Sequence, residues 1–264
     1  MTKERKDTMD SKYKKVNCVN KIKKMLFYVS LICSCFITFI LDNDFKYLII
    51  VLYIVVLVCF FAIDTILTVW LIPKVENIRK THLLSNSFGI PLNDEKTKGY
   101  YNNESSPSIF RLGLNTFENS LFSFEISKKM LHKERCKSII SLITLLFLLI
   151  LRSTHIELLL FIVQLLFGTN IIINWIKLEK YKIETEKIYQ KFRYIYLINT
   201  KDEGNFNENL SKILDVTIEY EILKARMGVM LSTKIFNEIN KKNIRRMGKY
   251  KKRSEIEINN YLYL

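Results

Sequence analysis

Asp64 is the residue that most invites a chemical reading. It is the one acid in an apolar run from Tyr47 to Ile72. A carboxylate in hydrocarbon is costly, so it marks an ion path or gate, or else it needs a cation beside it. A helix entering at Tyr47 crosses a bilayer core in about 20 residues and ends near Ile66. Asp64 then falls close to the boundary, where a snorkelling or salt-bridged carboxylate is the simpler expectation. Gln164, Gly168, Asn170 and Asn174 form a second polar group, in the run 158–176. At about 100° per residue they occupy less than half of a helix circumference. Amides in hydrocarbon need partners, so this face should look inward, as interhelical glue or as the lining of a water path. The third group is Ser30, Ser34 and Thr38, spaced four apart in the run 25–41. Small residues at that spacing let helices approach closely, and a packing seam is preferred to a pore lining.

Enzymatic signatures are missing. The sequence has no GxxxxGK[ST], GxSxG, HExxH or Rossmann glycine pattern, so a non-catalytic protein with no metal and no cofactor is expected. His82, His132 and His155 are scattered and read as surface residues rather than ligands. The five cysteines (Cys18, Cys33, Cys35, Cys59 and Cys136) show no CxxC pair and read as free thiols of a reducing compartment.

The elements that must position these residues follow from hydropathy and charge. Long apolar runs alternate with segments rich in Lys, Glu and Asn, the segregation of a membrane protein with polar parts. With three prolines and seven glycines in 264 residues, long helices are favoured over turn-rich β structure. The expected fold class is an all-α membrane protein with four transmembrane helices in two hairpins, at 25–41, 47–72, 138–151 and 158–176. The third run is short for a span, though Lys137 and Arg152 can snorkel outward; a re-entrant hairpin is the alternative. A cleaved signal peptide is not expected, because a second span follows the first at once.

Basic residues set the orientation. Residues 1–24 hold nine Lys or Arg, 73–137 hold eleven and 177–264 hold nineteen, whereas the links 42–46 and 152–157 hold one each. The three rich segments and both termini should therefore be cytoplasmic. Trp70 and Trp175, each followed closely by Lys74 or Lys177, sit where an aromatic belt belongs. The net charge of +15 could serve nucleic acid, anionic lipid or a small anion; lipid headgroups come first and no double-stranded nucleic acid is expected.

The expected organisation is thus a basic N-terminus at 1–24, hairpins at 25–72 and 138–176, a cytoplasmic connection at 73–137 and a helical tail at 177–264. Within the connection, 75–84 continues span two as helix and 85–108 reads as loop. Phe110, Leu114, Phe117, Leu121 and Phe124 then recur at helical spacing, giving an apolar face that packs on the tail or lies on the membrane. In the tail, Ile183, Ile188, Phe192 and Tyr196 fit one helical face. A break at 201–207 follows. Asn207 or Asn209 then caps a helix bearing Leu210, Ile213, Leu214, Ile218, Ile222 and Ala225, and Ser232 caps a last short one.

The stretches SNSFGIPLN (85–93), GYYNNE (99–104) and FENSLFSFEISKKM (117–130) resemble a block in bacterial membrane proteins of anti-phage defence loci. The plan of two spans, connection, two spans and helical tail is similar to that of the SMODS-associated four-transmembrane effectors. The resemblance implies an inner-membrane, homo-oligomeric effector that permeabilises the bilayer on a cytoplasmic signal, with a cyclic oligonucleotide as the ligand. It assigns no catalytic residues. Such an anion needs cations and stacking surfaces, and the connection offers Tyr100, Tyr101, Arg111, Lys128 and Lys129. Loop packing and solvated charge are the structural readings of the same residues. A non-catalytic scaffold recruiting a partner through the tail is the competing function.

Overall fold

The computed structural model describes residues 8–40, 42–92, 105–150, 171–197 and 206–240, with positions 243, 247, 248 and 250. Every element among them is helical, as the scarcity of proline and glycine predicts. We number α1 Thr8–Phe39, α2 Asn43–Thr65, a π turn Ile66–Leu71, α3 Ile72–Phe88, α4 Ile109–Ile150, α5 Ile171–Leu197, α6 Phe206–Met227 and α7 at 233–240. Asp42 caps α2, its side chain accepting from the Asp44 amide at 3.0 Å. Ser232 caps α7 as expected, accepting from the Ile235 amide.

The chain divides into two compact units. A packed unit comprises Met1–Met9, Glu76–Leu131 and Lys177–Leu264; an apolar unit comprises Asp10–Val75 and His132–Ile176.

The packed unit is built on the periodic stripe of α4. Leu114, Phe117 and Leu121 are fully buried against Ile188, Tyr189, Phe192 and Tyr196 of α5 and Ile213, Val216 and Tyr220 of α6. The stripe therefore packs on the tail helices, the first of the two expected outcomes. Phe117 is the centre of an aromatic cluster, its ring 5.5 Å from Tyr189 and 5.7 Å from Tyr196. Lower on α4, Phe122 and Ile126 pack on Ile235 and Ile239 of α7.

Gly113 makes the close approach of these helices feasible. A methyl group there would lie 2.1 Å from the Tyr196 hydroxyl and 2.5 Å from Ile213 Cγ2. The missing side chain lets the Tyr196 hydroxyl donate to the Phe110 carbonyl at 3.1 Å. Gly113→Ala gains helix propensity, at most about 1 kcal/mol. The clash and the lost hydrogen bond outweigh it, and the expected net loss is about 1–3 kcal/mol. Thermal unfolding of the full chain in detergent checks this; an alanine variant of raised melting temperature would show that Tyr196 moves aside freely.

The apolar unit begins with an antiparallel pair. Phe27 and Leu31 of α1 pack on Phe60 of α2, with the Phe27 and Phe60 rings 6.1 Å apart. Ser30 is buried between them, its hydroxyl returned to the Phe27 carbonyl at 2.7 Å. Elsewhere in this unit Ser138 of α4 reaches the Ile171 carbonyl of α5 at 3.4 Å. Among the described residues one helix, Asn43–Phe88, is long and apolar enough to cross a membrane. The run 25–41 falls largely within α1 and 138–151 within α4, while most of 158–176 lies outside the described residues.

Two local expectations are corrected. Helix α3 runs to Phe88, so 85–88 is not loop: Ser87 is buried and bonded within the fold instead of exposed. Gly89, at φ 69°, ends it. Helix α6 starts at Phe206, before both asparagines proposed as caps. The core-facing side of α6 is Ile213, Val216, Thr217 and Tyr220, whereas Leu214, Ile218 and Ile222 are exposed.

Candidate functional site

Two polar clusters of the packed unit hold the groups with chemical potential. The first lies between α3 and α6. Val75, Arg79, His82 and Leu83 are all buried, a helical spacing that turns one face of α3 inward. Arg79, 4 % exposed, is consequently a buried cation. Its Nη1 and Nη2 donate to the two carboxylate oxygens of Glu221 at 3.2 and 2.5 Å, a bidentate fork. Its Nε donates to Glu76 at 2.7 Å. Lys224, also buried, lies 3.5 Å from the other Glu76 oxygen. Two cations and two carboxylates balance. Burial opposes the charge on Arg79, but Glu221 and then Glu76 outweigh it and hold the guanidinium pKa well above its ordinary value. Beside this cluster the Tyr220 hydroxyl meets Ser123 Oγ at 2.8 Å, and burial raises the Tyr220 pKa far above that of a free phenol. The cluster ties α3 to α6.

The second cluster joins α3 to the start of α4. Ser108 caps α4, its hydroxyl accepting from the Arg111 amide at 3.2 Å while its own amide donates to the Ser87 carbonyl at 3.1 Å. Arg111 donates from Nη1 to the Ser105 carbonyl at 3.0 Å and from Nη2 to Asn86 Oδ1 at 3.3 Å. Asn115 Nδ2 donates to the same Asn86 oxygen and to Ser87 Oγ, each at 3.1 Å. Arg111 Nε and Asn115 Oδ1 are buried without a hydrogen-bond partner among the described residues. Of the three stretches that carry the resemblance, 85–93 contributes Asn86 and Ser87 to these bonds and 117–130 contributes Phe117 to the core, while 99–104 lies outside the described residues.

Of the proposed ligand residues, Arg111 lies apart from Lys128 and Lys129. Tyr100 and Tyr101 lie outside the described residues. Arg111 is engaged in the clasp, and Lys128 is 17 positions further along the same helix, about 26 Å away. Lys128 sits over the Phe124 ring at 5.8 Å, and Lys129 faces Glu238 at 3.6 Å. Arg111 and the two lysines therefore cannot grip one small ligand together. Among the described residues no cluster of His, Cys, Asp or Glu could hold a metal ion.

In the apolar unit Asp64 is salt-bridged. Lys23 Nζ donates to its Oδ1 at 2.7 Å, and the same ammonium lies 5.9 Å from the Phe60 ring centre. The π turn Ile66–Leu71 follows immediately. Ser34 is half-buried, Asn174 is exposed on α5, and Gln164 and Asn170 lie outside the described residues, as does His155. His82 is buried, not on the surface, because it shares the inward face of α3 with Arg79; His132 is exposed. The five cysteines are free.

Buried Arg79 and Lys224 escaped the sequence reading. The one available signal was their helical spacing: Arg79 lies four residues after Val75, and Lys224 four after Tyr220. Comparison with family models, with curated proteins and with solved structures finds no match to this chain.

Proposed function

We propose that this chain is a multi-pass membrane effector whose packed unit receives a cytoplasmic signal and whose apolar unit, as an oligomer, permeabilises the bilayer. Four spans, at 25–41, 47–72, 138–151 and 158–176, with both termini cytoplasmic, make up the proposed topology. One observation carries the membrane part. Of thirty-three exposed large apolar side chains among the described residues, twenty-six belong to the apolar unit. In water such a surface would aggregate; lipid covers it without cost. The effector part is supported by the family resemblance and by the amide face Gln164, Asn170 and Asn174, whose composition suits a water path.

The reading is tested with purified full-length protein in liposomes loaded with a self-quenched dye and challenged with cyclic di- and trinucleotides. Leakage with one of them is expected, together with a cytoplasmic response from a reporter fused after Leu264 and an external one from a reporter in the 152–157 link. A cytoplasmic response from that link would replace the four-span topology by a re-entrant one. No leakage with any nucleotide would remove the effector function. A second reading, a membrane scaffold, would then lead, and one observation favours it: Leu214, Ile218 and Ile222 form an exposed apolar stripe on α6 of the packed unit, suited to a partner helix.

A further inference from the structure

The α1–α2 pair places a band of lysines where lipid headgroups must lie. Lys23 faces Asp64 and Phe27 faces Phe60, so the two helices run antiparallel with residues 16–21 of α1 alongside the π turn Ile66–Leu71. That stretch of α1 carries Asn17, Asn20 and Lys21, too polar for hydrocarbon. Yet the π turn opposite exposes Ile66, Val69 and Trp70, the last 72 % exposed. A level that is polar on one helix and apolar with an indole on the other matches the interfacial layer of a bilayer, which favours Trp beside cations. The Lys23–Asp64 pair marks its inner edge.

Within this level or about a turn of it, Lys14, Lys21, Lys24 and Lys74 are exposed, and among the described residues none has an acidic partner. Most lysines of the packed unit's long helices are placed differently: Lys182, Lys187, Lys191 and Lys212 each pair with a glutamate. Helical periodicity also sets Lys14 and Lys21 on one face of α1 with Met25, Tyr28 and Ile32, all three exposed and apolar. One continuous strip therefore passes from apolar to cationic. A soluble phosphate needs only the cations. A lipid needs both, with its phosphate directly above its acyl chains.

We propose that Lys21, Lys24 and Lys74, with Lys14 and the Trp70 indole, form a docking surface for anionic phospholipid headgroups. The proposal rests on the membrane reading above. Each engaged lysine contributes about 1 kcal/mol near a charged surface, roughly a five-fold preference for an anionic over a zwitterionic lipid.

The test uses full-length protein carrying Trp175→Phe, so that Trp70 is the remaining fluorophore, in vesicles of brominated phosphatidylglycerol or brominated phosphatidylcholine mixed with unlabelled lipid. Quenching by both is expected, with a preference of at least five-fold for phosphatidylglycerol. That preference should fall to near one in K21Q/K24Q/K74Q and persist in K21R/K24R/K74R, and 1 M NaCl should weaken it. Quenching by both lipids with no preference overturns the docking surface and leaves the membrane reading intact. A preference abolished by millimolar glycerol phosphate assigns the cations to a soluble phosphate and overturns it as well. Quenching by neither lipid removes Trp70 from the bilayer, and the proposed span with it.

Discussion

Replacing Arg79 with methionine is expected to destabilise the packed unit by about 3–5 kcal/mol, the cost of leaving buried carboxylates without their cation. Glu221 would lose both of its bonds from the guanidinium, and Glu76 would lose its bond from Nε. The double replacement Arg79→Met and Glu221→Met discriminates electrostatics from packing. Two apolar side chains of similar volume fill the site, Glu76 and Lys224 still balance, and most of the lost stability should return. Urea unfolding of the full chain in detergent, followed by circular dichroism, reads both. A double variant no better than the single one would mean that the guanidinium matters for its shape, not its charge.

Phe117→Ala is expected to cost a similar amount, about 3–5 kcal/mol, for a different reason. The ring is fully buried and lies within 6 Å of four others, those of Tyr189, Phe192, Tyr196 and Tyr250. Alanine removes transfer energy and leaves a cavity that rigid neighbouring rings fill poorly. Phe117→Leu keeps most of the volume and should cost less than about 1.5 kcal/mol beyond its lost ring contacts. Near-ultraviolet dichroism should weaken in the alanine variant, since the coupled tyrosines lose their common neighbour. A melting curve unchanged by alanine would place Phe117 outside the cooperative core.

Strong periodicity was legible. Phe110 to Phe124 predicted a helix whose stripe packs inward, and both are found, although burial also reaches Asn115, Thr116, Ser120 and Phe122 on its other sides. Helix α6 was legible as a helix but not in its inward face. It carries apolar residues at two phases, and the sequence cannot say which faces the core. Tyr220 and Thr217, which look amphipathic or polar, are inside, while Leu214, Ile218 and Ile222 are outside. Charge was the least legible quantity. Arg79 reads as a solvated residue until Glu221, 142 positions away, is brought against it, and long-range pairing leaves no local trace. Arg111 was singled out for its charge, but its fork is already occupied by the chain itself. Asp64 was legible in kind, as a salt-bridged carboxylate, though its partner Lys23 lies 41 positions away and could not be named.

The buried hydroxyls of α4 determine how that helix can move within the packed unit. Thr116, Ser120 and Ser127 return their hydrogen bonds to carbonyls of their own helix. They ask nothing of the neighbours, and apolar contacts such as those of Phe117 and Leu121 have no direction. Against α5 and α6, two phenol oxygens supply the directional bonds to α4: Tyr196 on the Phe110 carbonyl, and Tyr220 on the Asn119 carbonyl and Ser123. An axial slide of α4 past α5 and α6 would thus break few directional bonds, each worth about 0.5–1.5 kcal/mol. Such a surface yields by shear before it yields by separation.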